Sequence, residues 1–324
     1  MKVFGSLLMM LAGLGTFLFG INTISENLKK TAGGNVSKMF QKLSGRRFAG
    51  IGVGAGAGVI LESSSATTVI LLGLVNAGIV SLAQATLIIM GSNIGTTLGV
   101  VVFSLSFLPL GEFLAFSVLV GASVVIGAKK EKTKTIGYAI AGFGLIFIGL
   151  RTMSESAGFL KDSVRFVNLL YTVNNPFLLV FAGAIFAGTV QSGTALTGIL
   201  ITLSQAGVMP VTSAFYVILG GNIGSCLTAI IASLGSSLNA KRTALIHLMF
   251  NVFGALIFMP ILIIFGDDLG AFVIDNVTPA AGIAYFNVLF NTATTLILLP
   301  FVKSLTGLAT AILPDKMVNE RIKK

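Results

Sequence analysis

The sequence is poor in the residues that most catalytic and metal-binding chemistry requires. It has one cysteine, Cys226, one histidine, His247, and no tryptophan. A lone cysteine excludes an internal disulfide and any cysteine metal cluster, and a lone histidine excludes a multi-histidine metal site. No Walker-type phosphate loop occurs, which excludes an ATP-driven pump made by this chain alone. A serine hydrolase needs a base beside an activated serine, yet the serine clusters come twice and His247 once. Charge is scarce too: 10% of the residues are charged, against about 25% in soluble domains.

What remains is apolar. Hydrophobic residues make up 55% of the 324, so lipid is the solvent for most side chains. Several runs reach the ~20 residues that cross about 30 Å of hydrocarbon, and the 39 glycines suit close helix packing in lipid. The N-terminal apolar run has no small-residue cleavage site after a short core and reads as a first membrane helix. The net charge of +10 resides in loops between apolar segments, without interleaved aromatics. It therefore marks topology rather than nucleic-acid binding.

An internal repeat organises the chain. Gly91-Ser92-Asn93-Ile94-Gly95-Thr96 returns as Gly220-Gly221-Asn222-Ile223-Gly224-Ser225, an offset of 129 residues. The same offset pairs Glu62-Ser63-Ser64-Ser65-Ala66-Thr67-Thr68 with Gln191-Ser192-Gly193-Thr194-Ala195-Leu196-Thr197, and Gly20, Thr23, Ser25 and Glu26 with Gly149, Thr152, Ser154 and Glu155. Apolar similarity alone would not keep rare polar residues in register, so the chain is read as a duplication.

In the first half, Phe4–Ile24 is expected to cross, followed by Lys29–Arg47 as a polar, partly amphipathic loop or surface helix. Two short apolar pieces, Phe48–Leu61 and Ala66–Val80, meet at the Glu62-Ser-Ser-Ser cluster and are too short to span. Leu82–Leu108 crosses, interrupted at Gly91–Gly95, and Glu112–Ala128 returns. The second half offers Ile136–Met153, the hairpin Phe177–Val190 with Ala195–Gly207, then Val211–Leu234 and Thr243–Phe265. An extra helix, Ala280–Phe301, precedes a basic tail. Basic residues assign cytoplasmic sides: Lys29, Lys30, Lys38, Lys42, Arg46 and Arg47; Lys129, Lys130, Lys132 and Lys134; Lys241 and Arg242; Arg321, Lys323 and Lys324. The loop with Asp267, Asp268 and Asp275 faces outside, as does the weakly basic loop Lys161–Asn175. These sides agree if both short pairs are re-entrant hairpins; one long bent span per pair is the plainer alternative. The expected fold is thus an all-α polytopic membrane protein of two inverted repeats, with about seven crossings plus two re-entrant broken-helix hairpins. Its parts are residues 1–128, a linker 129–135, residues 136–265, and residues 266–324 with the extra helix.

Each half carries a hydroxyl-rich break inside an apolar hairpin. Irregular backbone at membrane depth must be buried or line a wet cavity. A serine there caps the following half-helix, whose N-terminal dipole and free N–H groups suit an anion. Two such tips near the midplane follow the plan of broken helices in inverted repeats. Ser63, Ser64, Ser65, Ser192, Gly193 and Thr194 are the candidate anion contacts. Oxygens freed at the Asn-Ile-Gly breaks, with Asn93 and Asn222, suit Na⁺. Close packing of small residues is the competing explanation for these motifs.

The doubled Ser-rich and Gly-Ser/Gly-Asn-Ile-Gly motifs, with Ala244-Leu245-Ile246-His247-Leu248-Met249-Phe250-Asn251 after them, resemble the type II sodium/phosphate cotransporter family from about Gly13 to Pro260. The resemblance implies Na⁺-driven uptake of inorganic phosphate across the inner (plasma) membrane, with anion contacts from the Ser clusters and Na⁺ ligands at Gln191, Ser225 and Thr228. Na⁺ is the coupling ion and no cofactor is expected. Many bacterial relatives add a soluble C-terminal regulatory domain, which is not expected here. Phosphate, Na⁺ and the bilayer are the expected partners, with a second copy as a candidate in a homodimer and no nucleic acid. An anion channel, or a carrier for another oxyanion with proton coupling through Glu62, are the alternatives.

Three departures from the family pattern stand out. Glu62 replaces a glutamine, Gly193-Thr194 replaces Ser-Ser, and Cys226 replaces a threonine. An ionised carboxylate beside an anion site repels it and is costly at membrane depth, so Glu62 is expected to be protonated or neutralised by a cation. Glu26 and Glu155 are expected at the interface, Asn287 and Asn291 as a helix-bonding i, i+4 pair, His247 as a core residue rather than a proton carrier, and Arg151 as either snorkelling or meeting an anion.

Overall fold

In a computed structural model, residues 2–41, 47–108, 111–161 and 175–315 are described. Lys42, Arg46, most of the loop Lys161–Asn175 and the tail with Arg321, Lys323 and Lys324 lie outside the described residues, so their assigned sides are not addressed. The described residues are helical, with no strand among them. The first half contains α1 (Lys2–Gln41), α2 (Arg47–Leu61), α3 (Ser64–Asn76), α4 (Leu82–Ser104), α5 (Gly111–Ala115) and α6 (Ser117–Gly127). The second contains α7 (Glu131–Lys161), α8 (Pro176–Val190), α9 (Gly193–Gln205), α10 (Val211–Ser225), α11 (Leu227–Ser233) and α12 (Leu238–Asn276). Helices α13 (Pro279–Leu298) and α14 (Val302–Ile312) follow.

The repeat is visible in the helix boundaries. Helices α2 and α3 map onto α8 and α9 residue for residue at the 129 offset, and α4 begins where α10 does. The turns agree as well. Among the described residues only Glu62 (φ 51°) and Gln191 (φ 58°) are non-glycines in the left-handed region, and Gly78 (φ 70°) and Gly207 (φ 67°) are the matching glycines. Gly78 follows the end of α3, where its N–H bonds the Val75 carbonyl, a turn that glycine enters without steric cost.

Helix α1 packs along α7, α2 along α4, and α8 along α10. The contacts are nearly backbone to backbone. A Cβ on Gly20 would lie 2.7 Å from the Gly142 carbonyl oxygen, and one on Gly149 would lie 2.5 Å from the Phe17 nitrogen. A Cβ on Gly91, Gly95, Gly220 or Gly224 would collide with the carbonyls of Ile51, Ala55, Val180 or Ala184. Close approach of this kind replaces the hydrophobic drive that lipid removes between helices. Each hairpin's second helix reaches the other half: α3 packs on α11 and α12, while α9 reaches α4 and α1. Phe17 of α1, fully buried, packs its ring against Gly198 of α9 and its edge against Phe103 at 5.5 Å.

Several expectations need correction. The polar stretch Lys29–Arg47 is helical through Gln41, as a continuation of α1. Helix α4 runs unbroken through Gly91–Gly95. Ser92, Asn93, Thr96 and Thr97 return their side-chain donors to carbonyls three or four residues back, so no carbonyl is freed there, and the glycines are helix-crossing contacts. In the second half a single residue, Cys226, tightens the turn between α10 and α11, its N–H bonding the Ile223 carbonyl. Arg242 belongs to α12, 5% exposed, bonded to the Leu313 carbonyl, Asn239 and Asp315. Among the described residues, six helical stretches are long and apolar enough to cross a membrane: Phe4–Leu28, Leu82–Phe107, Glu131–Gly158, Val211–Ser233, Leu238–Asn276 and Pro279–Ile312. Where a further crossing is expected at Glu112–Ala128, the structure has a shorter apolar stretch, Gly111–Gly127, divided at Phe116.

Candidate functional site

The two hairpin tips meet. Each is built by the same three-step local code. The residue after the incoming helix turns left-handed, at Glu62 or Gln191, a conformation that costs a non-glycine residue on the order of 1–3 kcal/mol and clusters at functional sites. The next residue, Ser63 (φ −159°, ψ 114°) or Ser192 (φ −149°, ψ 110°), is extended and caps the outgoing helix. Ser63 Oγ accepts from the Ala66 N–H at 3.0 Å, and Ser192 Oγ from the Ala195 N–H at 3.1 Å. The first turns of α3 and α9 then begin at the tips, with N–H groups that have no intrahelical acceptor.

Between the tips is a cavity of about 40 Å³, on the order of three water-sized spheres. Glu62, Ser63, Ser64 and Ser65 line it from one side, and Gln191, Ser192, Gly193 and Thr194 from the other. Asn222 and Ser225 of α10 close a third side. A short bond joins the halves directly: Ser65 Oγ donates to the Ser225 carbonyl at 2.6 Å. Glu62 is the one ionisable side chain among the described lining residues. The positive potential available to an anion is therefore that of two helix N-termini, each equivalent to roughly half an elementary charge.

The remaining site candidates divide. Asn93 is buried, donates to the Ile89 carbonyl at 2.9 Å within its own helix, and is not in the cavity wall. Its mate Asn222 is in the wall. Thr228 also lies off the cavity, its Oγ1 buried without a hydrogen-bond partner among the described residues. The proposed Gln191–Ser225–Thr228 set is thus two wall residues and one behind them.

Four polar wall residues were not among the site candidates. Thr96 and Thr197 line the cavity. Thr96 is the offset mate of Ser225, a signal the repeat offered. Asn287 and Asn291 come from α13, outside both repeats. Asn222 Nδ2 donates to the Ile218 carbonyl (2.9 Å) and Asn287 Oδ1 (3.4 Å); Asn291 Nδ2 donates to Asn222 Oδ1 (3.3 Å), Asn287 Oδ1 (3.1 Å) and the Asn287 carbonyl (3.0 Å). The expected helix-bonding pair does bond helices and is also cavity wall.

Residues set aside in the sequence lie elsewhere. His247 is fully buried, with Nδ1 3.3 Å from Thr68 Oγ1 on α3. Arg151 pairs with Glu112 at 2.9 Å and Glu155 at 3.0 Å, all exposed. Glu26 is exposed and accepts from Asn22. No cluster of three or more metal-ligating side chains exists among the described residues.

The sequence matches the family model described as Na+/Pi-cotransporter over residues 16–155 and 162–266. It is 31% identical over 262 residues to the uncharacterized protein YqeW of Bacillus subtilis (strain 168), covering 79% of this chain and 82% of YqeW. It is 25% identical over 312 residues to YjbB of Escherichia coli (strain K12), provisionally named an inorganic phosphate export protein, covering 96% of this chain and 56% of YjbB. The chain thus spans little more than half the length of that relative. YjbB of Salmonella typhimurium, with the same name, is 24% identical over 313 residues, again 56% of its length. No solved structure matches.

Proposed function

Because the chain belongs to the Na⁺/Pi-cotransporter family, a membrane transporter family and not an enzyme family, we propose that it carries inorganic phosphate by secondary active transport, with Na⁺ as the coupling ion. The observation that carries this reading is the meeting of two strained, serine-capped tips on one small polar cavity. The cavity is small, about 40 Å³, and lined mainly by hydroxyl and amide side chains, which suits a tetrahedral oxyanion. Ser63, Ser64, Ser65, Ser192, Gly193 and Thr194 surround the anion with hydroxyl and N–H donors. Gln191, Ser225 and Thr228 hold Na⁺ beside it, with Asn222 orienting that side of the wall. A co-transported cation also supplies the positive charge that the cavity wall lacks.

The topology that fits this reading is two inverted repeats, residues 1–128 and 136–265, joined by the linker 129–135 and followed by the extra segment 266–324. Helices α2, α3, α8 and α9 have 15, 13, 15 and 13 residues, about 20–22 Å each at 1.5 Å per residue, short of the bilayer core. They form the two re-entrant hairpins. Gly111–Gly127, at 17 residues, lies at the short limit for a seventh crossing.

A carrier is reversible, and its net direction follows the combined Na⁺ and phosphate gradients. The uptake expected from the sequence and the export in the name of YjbB are two regimes of one cycle. Purified protein in liposomes, with radiolabelled phosphate and an imposed Na⁺ gradient, tests the reading. Accumulation above the external concentration, in the direction of the Na⁺ gradient and absent with K⁺, is expected. Equilibration without accumulation would make the protein a channel, and no phosphate movement would overturn the substrate.

A further inference from the structure

We propose that Glu62 carries a coupling proton, so that a proton bound at its carboxyl moves with each phosphate in addition to Na⁺. The proposal rests on the transport reading above.

The 129 offset places three residues of the first half where the second has its Na⁺ set: Glu62 for Gln191, Thr96 for Ser225 and Gly99 for Thr228. Carried across, that set loses one hydroxyl and gains a carboxyl. The loss at Gly99 makes room for the gain at Glu62. A Cβ on Gly99 would lie 2.5 Å from Glu62 Oε2 and 2.8 Å from Oε1, so any larger residue there would displace the carboxyl. The backbone of Glu62 is held left-handed, which aims the side chain at that gap. Its Oε2 is buried without a hydrogen-bond partner among the described residues. A bare carboxylate oxygen in such a place carries a large desolvation cost. A proton removes the charge and turns the group into a donor, whereas Na⁺ would need several oxygen ligands where one has been deleted.

Access favours a proton as well. Glu62 borders three cavities: the central one, a second of about 480 Å³ along α1 that includes Asn22, Ser25 and Gln191, and a third of about 400 Å³ between α1 and α7 that includes Asn27, Leu28, Thr135 and Ile136. Glu62 thus borders space on more than the anion's side. No other titratable residue lines any of the three among the described residues. On the helices packed around it, Glu26 of α1 is exposed and bonded by Asn22. Lys134 of α7 is paired with Glu131 at 3.1 Å. Helices α4 and α9 have no titratable side chain.

In the cycle, the carboxylate is hydrated while its side is open, takes a proton from that side as phosphate binds and the site closes, and returns it to the other side on release. No bond but the O–H is made or broken. The experiment compares wild type with Glu62→Gln in liposomes containing a pH-sensitive dye, with phosphate flux and internal acidification recorded together at fixed Na⁺. Phosphate's own protons move equally in both proteins. The expected result is about one proton fewer per phosphate in Glu62→Gln, and a flatter dependence of its flux on pH. Equal proton counts and superimposable pH curves would overturn the proposal. Should Glu62→Gln be inactive, phosphate-binding calorimetry in two buffers of different ionisation heat decides it. Equal proton uptake on binding overturns the proposal, and about one proton fewer in the variant supports it. Wild type that moves no phosphate at all overturns the transport reading itself.

Discussion

At the α2–α3 tip, Glu62 turns left-handed, Ser63 caps α3, and Gly99 leaves room for the carboxyl; at the α8–α9 tip, Gln191 turns the same way, Ser192 caps α9, and Thr228 stands where the first half has Gly99. The backbones agree to the residue, and the chemistry does not. Backbone geometry at each tip is set by one serine cap and one left-handed residue, which are common to both. Charge changes at Glu62/Gln191 and a hydroxyl is lost at Gly99/Thr228, two of the positions that differ. A duplicated fold can therefore present two chemically unlike tips on the same local backbone.

The most severe way to break the comparison is to attack what the halves share. Gly91→Leu and Gly220→Leu each force a side chain into the backbone of a facing helix. Overpacking costs about 1–3 kcal/mol in ordinary cores and more where backbone is the obstacle. Both variants should lose most of the monodisperse protein recovered in detergent. Collapse of only one would mean that the α2–α4 and α8–α10 crossings are not equivalent.

The next effect tests whether both tips serve the anion. Ser64→Ala and Gln191→Ala should each lower phosphate flux about 10-fold, equal to about 1.4 kcal/mol, with normal yield and thermal stability. A variant that kept wild-type flux would remove its tip from the site.

A smaller effect should separate the two asparagines. Asn222→Ala removes a wall residue bonded to α13 and should raise the Na⁺ concentration for half-maximal flux by about threefold, near 0.7 kcal/mol. Asn93→Ala, whose amide serves its own helix, should leave that concentration unchanged. Equal shifts would return Asn93 to the site. The smallest effect is expected at Cys226→Thr. The thiol lies 3.5 Å from the Asn222 carbonyl and 3.1 Å from Asn251 Nδ2, and a hydroxyl can make both contacts, so flux should change less than about twofold, within ~0.4 kcal/mol.

Much of this was legible in the sequence, for identifiable reasons. The repeat was written in rare polar residues, so the tips, their caps and the equivalence of the halves could be read directly. Ser63 and Ser192 cap as the hydroxyl-before-helix pattern expects. The Gly-Ser-Asn-Ile-Gly motif misled, because glycine has two uses in lipid. It was read as a helix break, but its glycines admit a crossing helix and its polar side chains bond their own turns. Asn287 and Asn291 were visible as a polar stripe, yet nothing in a linear chain shows that a helix outside the repeats closes a wall between them. The place of Thr228 behind the wall likewise depends on helix rotation, which periodicity does not fix.

The bond from Ser65 Oγ to the Ser225 carbonyl has a kinetic meaning. It is the one side-chain bond from the first hairpin tip to the second half's cavity wall among the described residues, and at 2.6 Å it is short for a hydroxyl donor. Any rocking that parts the halves must first break it where little water waits to replace it, which adds to the activation barrier. An oxyanion arriving at the tips offers Ser65 a charged acceptor in exchange, and hydrogen bonds to ions are the stronger kind. On the transport reading proposed above, the loaded protein would then cross a lower barrier than the empty one. A single serine would in this way brake idle turnover, and loss of its hydroxyl would show first as leakage of ions down their gradients.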